Sequence, residues 1–370
     1  MRKSILLVFF IATTFSSFSQ DAPEAKSKFT FSGYLDSYYF ANLNKPASRT
    51  NLGASYARAF DQKAGTFGLG LIQTKIAYAS ASGTTDAVVD LTFGPNADLG
   101  QYGNYVGPLG PGTTSLAIKQ AYFNWKPTSK LTLTAGQFGT HIGYEVIDAP
   151  INYNYSLSNL FNNGPFYHIG VKANLALSDK ASIMAGIVNN VDALYDNNRA
   201  KALIGQVFFT PVAGWNVYVN GITSNETSAD AKGNTPDGSY SLLDLTTSYQ
   251  ITPKFLLGLN GAIGSQDDKG WSGVALYTNY AISDKFSLGG RYETFDNSEG
   301  ARVALNNKAG EGVKMNALTI TSTFTCAGGS LLLKPEFRLD SSDKAFFETE
   351  NGDFTEKSQS TIGMAMIYKF

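Results

Sequence analysis

The feature that most constrains this chain is a two-residue alternation of apolar and polar side chains, which returns in segments of about 10 to 13 residues. At the end of the chain, Ile362, Met364, Met366, Tyr368 and Phe370 would share one face of an extended segment. The residues between them, apart from one isoleucine, are small or polar. Such a period is typical of a β-strand with one apolar and one polar face.

The whole chain divides into about 16 such segments, an even number. We predict strands near 28–40, 67–80, 86–95, 115–127, 130–138, 166–177, 180–190, 202–212, 214–224, 240–252, 254–265, 271–284, 285–296, 313–326, 331–340 and 361–370. Tight turns rich in Asp, Pro, Gly, Ser and Lys alternate with mostly long connections. Because the alternation places the long loops at one end, it predicts an up-and-down antiparallel meander.

Strand length favours a membrane barrel over a soluble sandwich. The predicted strands are about twice as long as the usual 5 to 6 residues, and about 9 to 11 tilted residues cross a bilayer. Charged residues make up only 16% of the chain, below the roughly 25% of soluble domains. The fold class predicted is therefore all-β, a transmembrane up-and-down antiparallel barrel of about 16 strands.

Charge and composition also exclude several functions. Lys and Arg total 29 against 30 for Asp and Glu, a balance that argues against a nucleic-acid binder. Two His and one Cys are too few soft ligands for a zinc or iron-sulfur centre, so we predict neither a metal site nor a cofactor.

The first residues have the pattern of an export signal. Arg2 and Lys3 precede an apolar stretch at 5–12, and a small-x-small site ends at Ser19. We predict a cleaved signal peptide at 1–19, a short periplasmic segment at 20–27 and the barrel at 28–370. The predicted location is the outer membrane of a Gram-negative bacterium, with outer-membrane lipid around the barrel.

Aromatic residues cluster beside the tight turns and at the last residue. They are Trp125, Trp215, Phe255, Phe286, Tyr368 and Phe370. This placement predicts an aromatic girdle at one membrane interface, although ordinary core aromatics at strand ends would look the same. A final strand ending in Phe resembles the C-terminal strand of barrels inserted by the outer-membrane assembly machinery, which implies that partner.

The third long loop, 139–165, is a candidate constriction of the pore. If it folds inward, Glu145 and Asp148 would place negative charge there beside His141, and charged rings in a pore sort solutes by sign. Two alternatives remain open: the loop caps the barrel mouth, or it packs on a neighbouring subunit.

Charged residues also fall on the predicted inner face of several strands. The wall charges singled out are Lys172, Arg291, Glu293, Lys334, Glu336, Arg338 and Asp340. They could form a patch that sets up a transverse field opposite the acidic loop, or mutually neutralising ion pairs. Lys119 does not fit, because the phase set by Phe123 and Trp125 turns it toward lipid unless a bulge or an interfacial position intervenes.

One stretch carries a family resemblance. Residues 152–161, NYNYSLSNLF, running on to GPFYHIGVK at 164–172, resemble a stretch of the OmpL-like family of β-barrel porins. The resemblance implies an outer-membrane porin-like barrel without catalytic residues. By resemblance to general porins, a homotrimer is also expected.

These observations together predict a passive diffusion channel for small hydrophilic solutes, without enzymatic activity. One alternative is a surface barrel with a structural or ligand-binding role through its long loops. The other is a barrel enzyme that uses His141 or His168 beside a Ser or an acid, although the chain has no G-x-S-x-G, H-E-x-x-H or P-loop pattern.

Overall fold

A computed structural model of the chain describes residues 26–53, 56–58, 60–94, 97, 115–196, 198–226, 238–302 and 311–370. The predicted signal peptide lies outside the described residues, as do residues 20–25 of the short segment after it. Within the described ranges, sixteen strands form one closed barrel. They are β1 (Lys28–Asn42), β4 (Phe67–Ala79), β5 (Thr85–Gly94), β6 (Ser115–Trp125), β7 (Leu131–Gly139), β8 (Tyr167–Ser178), β9 (Ala181–Val188), β10 (Ala202–Phe209), β11 (Trp215–Asn225), β12 (Ser239–Thr252), β13 (Phe255–Gln266), β14 (Lys269–Ser283), β15 (Phe286–Asp296), β16 (Lys314–Cys326), β17 (Leu331–Ser342) and β18 (Ser358–Lys369).

Every pair of neighbouring barrel strands is antiparallel, and the barrel closes between β1 and β18. Two short strands of two residues each, β2 (Leu52–Gly53) and β3 (Tyr56–Ala57), pair with each other in the first long loop and lie apart from the barrel sheet. A five-residue helix, α1 (Asn159–Asn163), lies in the third long loop. The predicted fold class, meander and strand number are confirmed, and the strand ends differ from the prediction by a few residues.

The described part of the chain contains no helix with the length and apolar character needed to cross a bilayer.

The two faces of the barrel follow the predicted alternation. In β17, Lys334, Glu336, Arg338 and Asp340 point inward and are each at most 3% exposed, whereas Leu339 points outward and is 38% exposed. The outer surface is apolar on every side of the barrel, as lipid contact requires, and each strand pairs with a neighbour on both sides. The polar face therefore encloses the lumen.

Apolar clusters also form inside the barrel, where the alternation predicts only polar side chains. Ile147 and Leu157 of the third loop pack with Tyr38 and Ile367 of the wall in one cluster. Leu160 packs with other inward side chains in a second cluster. Ile367, the apolar exception on the polar face of the last strand, is thus explained by a partner in the lumen.

Lys119 lies in a β-bulge, one of the two alternatives that the strand phase left open. The β5–β6 register places Gln120 opposite Asp90 but Ile118 opposite Leu91, so Lys119 is the extra residue of a β-bulge. The bulge turns its side chain into the barrel, where the residue is 5% exposed. The ammonium group therefore faces the lumen and not lipid.

Candidate functional site

The third long loop lies inside the barrel and contacts walls that are far apart. At its start, the backbone N–H of Gly143 donates to Asp244 of β12 at 3.1 Å. Further on, the hydroxyl of Tyr155 donates to Asp36 of β1 at 2.8 Å. The loop therefore crosses the lumen.

Carboxylates of the wall hold the loop by accepting hydrogen bonds from its backbone. Glu336 of β17 accepts from the N–H of Tyr155 at 2.7 Å, and Glu293 of β15 accepts from the N–H of Asn159 at 2.7 Å. These bonds satisfy donors that have no partner of their own in an irregular segment.

Wall cations hold the loop through its carbonyl groups. Arg291 of β15 donates to the carbonyl of Ser156 at 2.6 Å, and Arg338 of β17 donates to that of Leu157 at 2.6 Å. Lys334 donates to two further loop carbonyls. The predicted charges of the β15–β17 wall thus face inward, but the loop covers them.

The two acidic residues of the loop are themselves paired. Glu145 forms an ion pair with Arg291, and its side chain is 4% exposed. Asp148 forms one with Lys119, which also lies 3.7 Å from Asp90. Neither carboxylate is therefore the free negative charge that the sequence led us to expect at a constriction.

Ion pairs continue along the wall toward the long-loop end. Arg338 contacts Asp340 at 2.8 Å and Glu293 at 3.7 Å. Arg58, from the first long loop, bridges Asp340 and Asp61. These side chains are all buried, so the mutually neutralising alternative describes this wall better than a patch exposed to the pore. No pattern in the sequence pointed to Arg58.

The two histidines lie near each other at the start of the loop, with ring centroids 5.5 Å apart. Nε2 of His141 contacts the carbonyl oxygen of Gly221, and burial lowers the pKa of His141 to about 4. Nε2 of His168 lies 3.0 Å from Oγ1 of Thr140. Among the described residues, neither imidazole is hydrogen-bonded to a carboxylate.

Lys172 stands apart from the ion pairs of the described wall. Its Nζ lies 4.3 Å from the centroid of the Phe138 ring, in a cation–π contact. It contributes a positive charge on the β7–β8 side of the lumen.

Glycines of the wall allow the loop to approach closely. A Cβ at each of three inward positions would lie within 3.0 Å of a loop atom. The pairs are Gly258 of β13 with Tyr144, Gly273 of β14 with Leu160, and Gly289 of β15 with Tyr153. The signal for this packing was present in the sequence as glycines on the polar face of strands, but the alternation alone did not identify their partners.

Two cavities remain on the two sides of loop residues 141–146. The outer cavity, of about 300 Å³, is lined by Thr140, Lys119 and Phe166 near the long-loop end. The inner cavity, of about 340 Å³, is lined by Tyr218 and Ser248 nearer the tight-turn end. Both include His141, Gly143, Glu145 and Val146 in their lining. These shared residues therefore lie between the two cavities.

The predicted girdle residues lie at the tight-turn end of the outer face. Trp215 is 39% exposed and donates through Nε1 to Thr247 at 2.8 Å. Phe286 stacks on Phe324 with ring centroids 4.7 Å apart. Phe370 is 52% exposed and pairs through its backbone with Gly33 of β1.

Solved structures share this fold. The outer membrane channel DcaP of Acinetobacter baumannii has a TM-score of 0.63 at 12% identity, over 95% of this chain and 100% of that one. The anion-selective porin of Comamonas acidovorans has a TM-score of 0.58 at 12% sequence identity, over 93% of this chain and 100% of that one. The trimer form of in-vitro folded OmpT, an outer membrane protein of Vibrio cholerae, has a TM-score of 0.57 at 12% sequence identity, over 93% of this chain and 100% of that one. At such identities the likeness concerns the fold.

No curated protein matches the chain. The family described as "Putative beta-barrel porin-2, OmpL-like" matches residues 28–370, the whole barrel. This match, together with the sixteen-strand barrel, the apolar outer surface and the polar lumen, shows that the chain belongs to the OmpL-like β-barrel porins of the outer membrane.

Proposed function

We propose that the barrel is a passive diffusion channel for small hydrophilic solutes and that its third long loop forms the constriction. The observation that carries the proposal is the pair of cavities on the two sides of residues 141–146. Barrels of about 16 strands are wide enough for an aqueous channel, and a polar lumen removes the desolvation barrier that the bilayer presents to such solutes.

In this proposal His141, Glu145 and Asp148 shape the constriction, and pore width matters more than charge. Glu145 and Asp148 are each bonded to a cation, so they oppose anions less than free carboxylates would. The channel should therefore discriminate only weakly between small anions and cations.

The orientation follows from the loops. We place the tight turns and both ends of the barrel in the periplasm, with the long loops outside the cell, after export by the signal peptide at 1–19. The aromatic residues beside the tight turns would then lie at the periplasmic interface of the membrane. Phe370, exposed at the end of β18, would be the contact for the barrel assembly machinery.

We also propose a homotrimer. The solved trimer form of the Vibrio cholerae barrel supports this assembly for a barrel of the same fold. An apolar groove on the outer face of β6–β10, lined by Phe123, Val171 and Leu203, offers a surface for a neighbouring subunit.

An enzymatic role is not proposed. His168 has a hydroxyl partner in Thr140, but a triad of the serine-hydrolase type also needs an acid that orients the imidazole. In the described part of the chain no carboxylate bonds to this ring, and the ring itself is 1% exposed.

Single-channel recording in planar bilayers tests the proposal. The N–H of Ser158 lies 2.9 Å from the side chain of Glu145, so residues 146–157 can be replaced by a short Gly-Gly linker. We expect discrete conductance steps from the refolded wild type and a severalfold larger step after this replacement, since the crossing segment is removed.

A matched control replaces the exposed tip residues Glu350 and Asn351 of the β17–β18 loop by Gly-Gly and should leave the step unchanged. A wild type that inserts as a barrel but never conducts would refute the channel. An unchanged step after removal of 146–157 would refute a contribution of the crossing segment to the constriction.

A further inference from the structure

The inner cavity presents an unusual set of uncharged hydrogen-bonding groups. They are the hydroxyls of Tyr144, Tyr153, Tyr218 and Ser248 and Oε1 of Gln206. None of these five groups is hydrogen-bonded to another described residue, since Gln206 uses only its amide nitrogen, toward Asn220 at 2.8 Å. They are therefore available to water or to a solute.

Formal charge is nearly absent from the same surface. Among the described residues that line the cavity, Glu145 carries the one carboxylate, and its oxygens accept from Arg291, from the Ser158 N–H and from the Tyr277 hydroxyl. His141 is neutral at physiological pH because burial lowers its pKa. An ion that entered would lose hydration without gaining a free counter-charge, whereas a neutral polar solute would not meet this cost.

Tyrosine rings add apolar contact area and are held in place. The Tyr144 ring stacks on Tyr277, with centroids 4.2 Å apart and planes 17° apart. The Tyr218 ring stacks on Phe208, with centroids 4.7 Å apart and planes 30° apart. Tyr144 and Tyr218 both remain partly exposed. The face of an aromatic ring carries partial negative charge, so it attracts the weakly positive C–H groups of a solute.

We propose that the inner cavity is a binding site for uncharged polyhydroxylated solutes of the carbohydrate class on their way through the barrel. Such a molecule combines the two features that the lining matches: C–H groups for the rings of Tyr144 and Tyr218, and hydroxyls for the five unpaired polar groups. The cavity volume of about 340 Å³ lies within the range of small-molecule pockets. The proposal deepens the channel function above and rests on it.

Current block by three sugars of equal size tests the proposal with the full-length refolded barrel. Glucose, glucuronate and glucosamine are added to planar bilayers at a mildly acidic pH at which the glucosamine ammonium is charged, and the single-channel current is corrected for bulk conductivity. We expect glucose to block at a concentration at least about fivefold lower than either charged analogue. A charged analogue would lose the hydration of its ionic group in the cavity without meeting a free counter-charge, and the neutral sugar avoids this cost.

Two tyrosine variants locate the site. Tyr218→Ala should raise the half-blocking glucose concentration about five- to tenfold, in line with loss of one ring contact. Tyr122→Ala, on the inward face of β6 and outside the cavity lining, should leave it within about twofold of the wild type. Conduction without block by glucose, equal block by all three sugars, or equal effects of the two variants would each overturn the proposal.

The same measurement separates this inference from the channel function. A barrel that conducts but ignores glucose retains the channel and loses the binding site. A barrel that never conducts loses the channel function. Equilibrium dialysis of glucose against refolded wild type and Tyr218→Ala then decides the binding site alone: tighter binding by the wild type supports it, and equal or absent binding refutes it.

Discussion

At the scale of single residues, Lys119 shows how one bulge changes the role of a side chain. Strict alternation assigns it to lipid, where a charge is costly, but the extra residue in β6 turns it into the lumen. There it bonds to Asp148 and lies 3.7 Å from Asp90. A charged residue out of phase with its strand is thus a signal for a bulge, and here the bulge supplies the cation that holds the loop.

Replacing Lys119 tests this role. Lys119→Met removes one positive charge from the lining of the outer cavity and leaves Asp148 without its cation. We expect a severalfold shift of the K⁺/Cl⁻ permeability ratio toward K⁺, read from the reversal potential in a KCl gradient. Lys126→Met, which removes an equal charge from an exposed turn, is the control. Equal shifts in both variants would contradict a position of Lys119 in the pore.

At the scale of elements, the barrel wall holds the middle of the third long loop and a residue of another loop holds its end. The middle lies against wall glycines, because any side chain at those positions would overlap loop atoms. The end is fixed by Asp192 of the β9–β10 loop, which accepts from the N–H of Phe166 at 2.7 Å and of Tyr167 at 3.1 Å. Contacts with the barrel thus specify the loop conformation together with local bonds such as the Ser158 cap of α1.

Gly258→Val tests the close packing at the middle of the loop. The added Cβ would overlap the hydroxyl end of the Tyr144 ring, so the ring must move away from this part of the wall. We expect a changed single-channel conductance with unchanged barrel content by circular dichroism. Gly261→Val, on the outward face of the same strand with nothing nearer than 4.0 Å, should conduct like the wild type. If both variants conduct alike, Tyr144 does not depend on Gly258.

Asp192 should make stability depend on pH. Burial raises the pKa of Asp192 from 3.8 to about 7, while the two N–H bonds and Arg302 oppose the shift and Glu226 adds to it. A raised pKa means that the folded state holds the proton more tightly than the unfolded state. Its stabilisation is thus complete below about pH 4 and is lost as the pH rises through about 7.

Unfolding in urea between pH 4 and 8 measures this effect. The free energy of unfolding should fall with rising pH in the wild type and fall less in Asp192→Asn, which keeps a carbonyl acceptor for the two N–H groups. Asp179→Asn, in a tight turn at the other end of the barrel, is the control and should show the wild-type slope. Equal slopes for wild type and Asp192→Asn would rule out Asp192 as the source.

At the scale of the whole molecule, the barrel acts as a frame and the buried charges join the loop to it. The chain of ion pairs runs from Glu145 through Arg291, Glu293 and Arg338 to Asp340, with all five side chains at most 4% exposed. Loop and wall should therefore unfold together, because breaking one link leaves a buried charge without a partner.

A double-mutant cycle on Arg291 and Glu145 measures that coupling. Arg291→Met alone should cost about 3 to 5 kcal/mol of unfolding free energy, since two carboxylates lose a cation. Combined with Glu145→Gln, the cost should be smaller than the sum of the two single changes. Lys201→Met, which breaks an exposed pair, should cost about 0 to 1 kcal/mol. Additive costs for Arg291 and Glu145 would show that the loop is not coupled to the wall through them.

The sequence by itself determined the barrel: the number of strands, their order, the faces that meet lipid and lumen, and the position of the long loops. These properties are readable because they depend on local alternation and on turn composition, and lipid imposes the same requirement on every strand. The family resemblance is carried by residues 152–172, and recognising it requires the sequence of that stretch but no tertiary contact.

Only the tertiary structure decided what fills the lumen. The contact of Tyr155 with Asp36 joins residues 119 positions apart, and Arg58 meets Asp340 across 282 positions. Period-two alternation shows that a side chain points inward, but closure of the barrel decides which inward side chains meet. For this reason the sequence predicted acidic residues in the loop and cations on the wall, whereas only the folded chain shows that they pair and leave beside them a tyrosine-lined cavity with no unpaired carboxylate.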